Sequence, residues 1–143
     1  MFDSSTQARL QELFRRENRS FLQYINQASP WASPADRPLV EKIRQLATEE
    51  MAALEKLAEW LESKHVSLPY LGAFPTTFTN YNFVDIRKLL KPLVAEQRKE
   101  LADLEADAKS LADDVARKRV EVIVEMNRKH LGDMELLGQP LAA

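Results

Sequence analysis

The chain has 143 residues, of which 45% are hydrophobic and 29% charged, and only three are glycines. This balance is typical of a single helical globular domain spanning residues 1–143, and it excludes a disordered chain. Twenty basic residues are scattered among 22 acidic ones, for a formal charge of −2, so no basic surface for nucleic acid is expected. The absence of cysteine excludes disulfides and thiolate chemistry.

Nothing in the sequence indicates a membrane or secretion. No apolar run approaches the ~20 residues of a membrane-spanning helix. The first residues, MFDSS, lack the basic start and apolar core of a secretion signal. We therefore expect a cytoplasmic protein without membrane contact.

The first two predicted helices cover residues 4–28 and 39–63. Ser4 is a good N-cap residue, and apolar residues then recur at steps of three and four, as they do along predicted helix 2. Prolines mark the short connection over residues 29–37, and Pro38 occupies a tolerated first-turn position. A short connection predicts that these two helices are antiparallel.

A segment without helical period follows, over residues 65–82, and it is too apolar to lie in solvent. Predicted helix 2 is roughly 39 Å long at 1.5 Å per residue, whereas the segment reaches about 59 Å when extended. The segment can therefore cross the full length of the helices. We expect it to pack along them and to let predicted helix 3 run parallel to predicted helix 2.

The last two predicted helices cover residues 83–108 and 113–137. Pro92 falls inside the third and predicts a kink. The break before the cap-like pair Asp113 and Asp114 is inferred from length, and one continuous helix is the alternative. The predicted fold is all-α, an antiparallel four-helix bundle with one long crossover between predicted helices 2 and 3.

Each predicted helix carries one ionisable side chain on its apolar stripe: Glu17, Glu50, Glu96 and His130. Moving a carboxylate out of water without a partner costs at least several kcal/mol, so one such residue per helix indicates a shared polar centre. On predicted helix 3, Gln97 and Glu100 compete with Glu96 for the inward position. The likeliest content of such a centre is a metal ion.

The two halves of the chain show a weak internal repeat. Sliding predicted helix 1 onto predicted helix 3 by 79 positions superposes their two inward glutamates. Sliding predicted helix 2 onto predicted helix 4 by 77 positions superposes Glu50 on Asn127 and Ala53 on His130. Both halves are therefore interpreted as one helical hairpin used twice.

This pattern resembles the ferritin-like superfamily, in particular its small rubrerythrin-like members. In that family a Glu on helix 1 and a Glu on helix 3 join Glu-x-x-His motifs on helices 2 and 4 to hold two metals. Four of these six positions are matched here, by Glu17, Glu50, Glu96 and His130. The departures are Ala53, where the family has His, and Asn127, where it has Glu.

The resemblance implies an iron- or manganese-linked redox or stress role, with no organic cofactor. Because Ala53 supplies no ligand and the neutral Asn127 amide cannot bridge two metals, we expect at most a mononuclear site. Its ligands would be Glu50, Glu96 and His130, with Glu17 and Asn127 as further candidates for iron, manganese or zinc.

Two other functions compete with this interpretation, and the sequence leaves open whether the protein is an enzyme. One is a non-catalytic ferritin-like bundle that serves as a binding or assembly module. The other is a coiled-coil adaptor, which requires predicted helices 3 and 4 to be continuous. The partners considered are a metal ion and, in a homodimer, a second copy of the chain.

Overall fold

The computed structural model describes residues 2–28 and 30–138, and this part of the chain is helical. Its five α-helices are α1 (Ser4–Asn18), α2 (Phe21–Ala28), α3 (Arg37–Ser63), α4 (Ile86–Ser110) and α5 (Asp114–Leu137). Short 3-10 helices cover Pro34–Asp36 and Thr76–Tyr81. The described residues contain no β-strand, only an isolated bridge between Trp31 and Asp85. None of their helices is both long and apolar enough to cross a membrane.

Aspartates begin three of the helices. The carboxylates of Asp3, Asp85 and Asp113 accept hydrogen bonds from backbone N–H groups in the first turns of α1, α4 and α5, at 2.7 to 2.8 Å. These bonds satisfy donors that have no partner within the helix. Between α4 and α5 the backbone is extended at Leu111 and Asp113, so the two helices are separate. The coiled-coil adaptor is therefore excluded.

The prediction of one helix over residues 4–28 was wrong, because the structure divides it at Arg19 and Ser20. The Ser20 hydroxyl accepts a hydrogen bond from the backbone N–H of Gln23 at 3.2 Å and so caps α2. The same hydroxyl donates to the buried carboxylate of Glu50 at 2.6 Å. Because the Ser20 hydroxyl both caps α2 and donates to a buried carboxylate, the start of a new helix at this residue is favoured over continuation of α1.

The other helices lie close to the predicted ranges 39–63, 83–108 and 113–137. Helix α4 continues through Pro92, which loses one backbone hydrogen bond there. The predicted end of the first helix at Ser29 lies outside the described residues.

Two clusters of buried apolar residues show how the helices run. The first core cluster joins the start of α1, the end of α3, the end of α4 and the start of α5, represented by Leu10, Leu61, Leu104 and Ala116. The second core cluster joins α2, the start of α3, the start of α4 and the end of α5, represented by Leu22, Ile43, Leu89 and Met134. Helices α3 and α4 therefore run in one direction, and α1, α2 and α5 run in the other.

The long connection between α3 and α4 packs along the helices, as the sequence predicted. Val66, at its beginning, belongs to the first core cluster, and Phe78 belongs to the second. Arg19 holds the middle of the connection by donating to the Gly72 carbonyl at 2.7 Å. The connection thus crosses from one end of the helices to the other and covers the break between α1 and α2.

The separation of α4 from α5 can be tested at the cap. We expect Asp113→Ala to lower the free energy of unfolding by about 1 kcal/mol, because the Ala116 N–H loses its acceptor. The exposed Glu121→Ala change on the same helix should alter it by less than about 0.5 kcal/mol. Urea unfolding followed by circular dichroism measures both values, and equal losses in the two variants would contradict the capping role.

A buried carboxyl cluster as candidate site

A layer of polar side chains separates the two core clusters. Along α1 and α2, Glu17 lies between Phe14 of the first core cluster and Phe21 of the second. The buried members of this polar layer are Glu17, Ser20, Gln23, Glu50, Gln97, Asn127 and His130, and Glu100 reaches it from α4. Of the four ionisable residues that the sequence placed on inward stripes, Glu17, Glu50 and His130 are buried and Glu96 is not.

Glu50 is fully buried, and only one of its two carboxylate oxygens accepts hydrogen bonds from the described residues. Its Oε1 accepts from the Ser20 hydroxyl at 2.6 Å and from the Gln23 amide at 3.1 Å. Its Oε2 is buried and has no hydrogen-bond partner among the described residues. Burial raises the pKa of Glu50 to about 7, although the hydrogen bonds from Ser20 and Gln23 oppose the shift.

Glu17 on α1 and Glu100 on α4 are neighbouring carboxyl groups, and each affects the pKa of the other. Burial, and then repulsion from Glu50, raises the pKa of Glu17 to about 8. Burial and the charges of Glu17 and Glu50 raise the pKa of Glu100 well above its usual value. Two carboxylates this close cannot both be ionised without strong repulsion, so the pair holds a proton at neutral pH.

Arg16 forms an ion pair with Glu17, but its guanidinium group is shared with Asp107. Its Nε donates to Glu17 at 3.3 Å, while its Nη2 donates to Asp107 at a shorter 2.7 Å. The Oε1 atom of Glu17 is buried without a donor in the described part of the chain. The positive charge available to the layer is therefore too small for three ionised glutamates.

The prediction that Glu96 faces the core was wrong. Gln97 holds the buried position and is 2% exposed, whereas Glu96 is half-buried and lines a surface cavity. The reason is the register of α4, in which steps of three and four from Leu90 and Leu93 lead to residue 97. Glu100, one step of three further on, supplies the carboxyl group that Glu96 was expected to supply.

Asn127 and His130 are buried as predicted, but each is engaged elsewhere. The Asn127 Oδ1 accepts from the Gln97 amide at 2.6 Å, and its Nδ2 donates to the Ile123 carbonyl at 3.1 Å. The Nε2 atom of His130 lies 3.0 Å from a carboxylate oxygen of Glu49. Burial lowers the pKa of His130, opposed by Glu49. These contacts leave the three glutamates as the titratable centre of the layer.

A cavity of about 190 Å³ connects the polar layer to the surface. Its walls include Arg16, Ser20, Gln97 and Glu100, and Phe78 of the long connection lies over it. The break between α1 and α2 is part of this wall. The glutamate pair is thus close to a solvent path that a proton or a small ion could use.

The two-metal centre that the ferritin-like resemblance implies does not fit these residues. Ala53 has no atom that could bind a metal. The side-chain oxygen of Asn127 already accepts a hydrogen bond from the Gln97 amide, and the Nε2 atom of His130 contacts Glu49. Within residues 2–28 and 30–138, no three histidine, aspartate or glutamate side chains are placed so that they could hold a metal ion. No chemical step through a bridged metal pair is therefore derived for this protein.

Ser20, Gln23 and Glu49 were not among the predicted site residues. The one signal for Ser20 in the sequence is that serine is a preferred N-cap residue. Glu49 is the partner of His130, 81 positions away in the chain. The contacts of these three residues are not visible without the packing of α1, α2 and α5 on α3.

Comparisons with known protein-family models, with curated proteins and with solved structures found no match to this chain. The likeness to the ferritin-like superfamily therefore stays a prediction. Functional inference rests on the buried glutamates and their surroundings.

The raised pKa values predict an unusual pH dependence. Glu17 and Glu50 keep their protons up to about pH 8 and 7 in the folded chain, but only up to about 4.5 when unfolded. The folded state then binds more protons, so the free energy of unfolding falls as pH rises from 6.5 to 8, by about 1.4 kcal/mol per pH unit for each extra proton. His130, whose folded pKa lies below 6.5, contributes mainly below this window.

Urea unfolding at several pH values measures this slope. The double variant Glu17→Gln and Glu50→Gln should flatten the slope, whereas Glu59→Gln at an exposed position of α3 should keep it. A stability that is constant or that increases over this pH range would contradict the proton-holding glutamates.

Proposed function

We propose that this protein is a ferritin-like helical bundle that binds a single divalent metal ion at Glu17, Glu50 and Glu100. The observation that carries the proposal is the pair of buried, unpartnered carboxylate oxygens, Glu17 Oε1 and Glu50 Oε2. Such atoms cost free energy unless a proton or a cation satisfies them. Three carboxyl groups from three helices meet where the local positive charge is insufficient.

The directions of the helices support the ferritin-like part of the proposal. A long connection joins two parallel helices, α3 and α4, and short connections join antiparallel neighbours. This order is the one that the resemblance implies, with the difference that its first helix corresponds to α1 and α2 together.

The raised pKa values indicate that the three carboxyl groups bind protons, and a cation would take the place of those protons. The side chains of Glu17, Glu50 and Glu100 would have to turn toward the ion, since their present placement suits no metal. Carboxylate oxygens are hard donors, and the imidazole of His130 lies outside the trio. This donor set favours manganese or ferrous iron in an oxygen-ligand site over zinc.

A second candidate function is the non-catalytic bundle that acts as a binding or assembly module. The hydrogen bond between Gln97 and Asn127 favours it, because Asn127, which stands where the family has Glu, is a neutral amide held by another neutral amide. In this alternative, protons neutralise the glutamates and no cation is bound. Replacement of Glu50 by glutamine would then stabilise the chain above about pH 7, because the amide cannot ionise in the interior.

Metal content and stability distinguish the two candidates. Protein purified without chelators and loaded with manganese or ferrous iron at pH 8 should hold about one metal per chain and melt at a higher temperature. The stabilisation is roughly 2.7 kcal/mol when the free metal is a hundred times its Kd. Glu17→Gln, Glu50→Gln and Glu100→Gln should each abolish it, because each removes a charged ligand.

Glu96→Gln and Glu49→Gln are matched controls that should keep metal binding, since both residues lie outside the trio. Absence of metal after loading, together with a higher melting temperature for Glu50→Gln alone, would favour the non-catalytic bundle. Two metals per chain, with the absorbance of a carboxylate-bridged iron pair, would contradict the mononuclear site.

A further inference from the structure

Helix α5 exposes three large apolar side chains at regular spacing. Val115, Val122 and Leu136 are 54%, 64% and 65% exposed, and Lys129 holds the remaining position of the seven-residue series. Residues seven apart lie on one line along a helix. Together these four residues are called the α5 seam.

The α5 seam does not belong to the core. The buried residues of α5 lie on another face of the helix: Ala116, Val120, Ile123, Val124, Asn127, His130 and Met134. Isolated exposed apolar residues are common on protein surfaces, whereas these three recur at one position of a heptad. The second position that a coiled coil fills with apolar residues holds Lys118, Glu125 and Gly132, so the line suits a weak helix pair. Within the described part of the chain, no helix covers this line.

We propose that α5 pairs in antiparallel orientation with α5 of a second copy of the chain, along the α5 seam. The proposal is independent of metal binding. In a pairing centred between Glu125 and Met126, Val115 lies opposite Leu136 of the second copy. Val122 then lies opposite Lys129, whose aliphatic stem can cover it while the ammonium group reaches water.

Charge complementarity selects the orientation. In the antiparallel pairing, the exposed Lys118 lies opposite Asp133 of the second copy, and the pair occurs twice because the interface is symmetric. In a parallel pairing Lys118, Glu125, Lys129 and Asp133 would each face their own like charge. The antiparallel pairing brings the two copies of Glu125 together near the axis, where each forms an ion pair with Arg128 of its own helix. Among the described residues, Asp133 contacts one cation, Lys42, loosely at 3.8 Å.

Gly132 provides an independent argument for a close neighbour. A glycine inside a helix destabilises it by up to about 1 kcal/mol relative to alanine. A Cβ added at Gly132 would meet nothing within 4 Å, so no contact with the described residues requires glycine there. The residue borders the α5 seam between Lys129 and Leu136, where a missing side chain lets a second backbone approach.

Sedimentation velocity over a wide range of protein concentrations tests the dimer. The wild-type chain should associate reversibly, since a single helix pair about 36 Å long forms a small interface. Val122→Lys should weaken association by about tenfold or more, because it places a second ammonium group opposite Lys129 of the second copy. Met51→Lys, at an exposed apolar position of α3, is the matched control and should leave association unchanged.

Charge reversal tests the register. Lys118→Asp and Asp133→Lys should each dissociate the dimer, because each places like charges opposite one another. An equimolar mixture of the two variants should dimerise again, because both symmetric pairs then have opposite charges. A mixture that stays monomeric would overturn the pairing of Lys118 with Asp133.

Disulfide trapping tests the direction, since the chain has no cysteine of its own. Glu125→Cys lies near the symmetry axis and should cross-link under mild oxidation. Val115→Cys should not, because the two copies of residue 115 would be about 32 Å apart, far beyond disulfide reach. A wild-type chain that stays monomeric, a dimer unaffected by Val122→Lys, or cross-linking through residue 115 would each overturn the proposal.

Discussion

The structure depends on how three glutamate side chains are accommodated inside a helical protein. An ionised carboxylate in an apolar interior is stable only with hydrogen-bond donors, a cation or a proton. Here Ser20 and Gln23 satisfy one oxygen of Glu50, and Arg16 is divided between Glu17 and Asp107. Burial raises the pKa values of these glutamates, because the hydrogen-bond donors and positive charge around them are too few to offset it. The polar layer can therefore accept a cation.

The same constraint accounts for an irregularity of the fold. A continuous helix through residue 20 would engage the Ser20 hydroxyl with its own backbone, whereas the break directs that hydroxyl to Glu50. Arg19, freed at the break, anchors the long connection through the Gly72 carbonyl. Helix geometry, burial of a carboxylate and the course of the connection are therefore coupled through two adjacent residues.

Neutral and charged parts of the polar layer behave differently. The pairing of Gln97 with Asn127 satisfies both amides without any change of protonation, so it holds α4 and α5 together at every pH. The glutamates on α1, α3 and α4 respond to pH and to cations. A polar layer with a pH-independent amide pair and pH-sensitive glutamates is consistent with either proposed function. Whether the glutamates bind protons or a metal ion decides between the two functions.

Much of the fold follows from patterns within the sequence. Steps of three and four among apolar residues determine where α3, α4 and α5 lie, and the cap-like Asp113 marks the start of α5. The cap of α1 is Asp3 and not the predicted Ser4. The length and apolar character of the segment after α3 determine that it packs along the helices. The inward positions of Glu17 and Glu50 also follow, because each lies among core residues at helical spacing.

Tertiary structure alone decided which polar groups meet. The choice between Glu96, Gln97 and Glu100 depends on a helix rotation smaller than the uncertainty of a periodic pattern, since neighbouring residues differ by about 100° around the axis. The pairing of His130 with Glu49, and the break at Ser20, depend on atoms of other helices that approach within hydrogen-bonding distance. Periodicity specifies which face of a helix is buried, but contacts between side chains on different helices are specified only by how those helices pack.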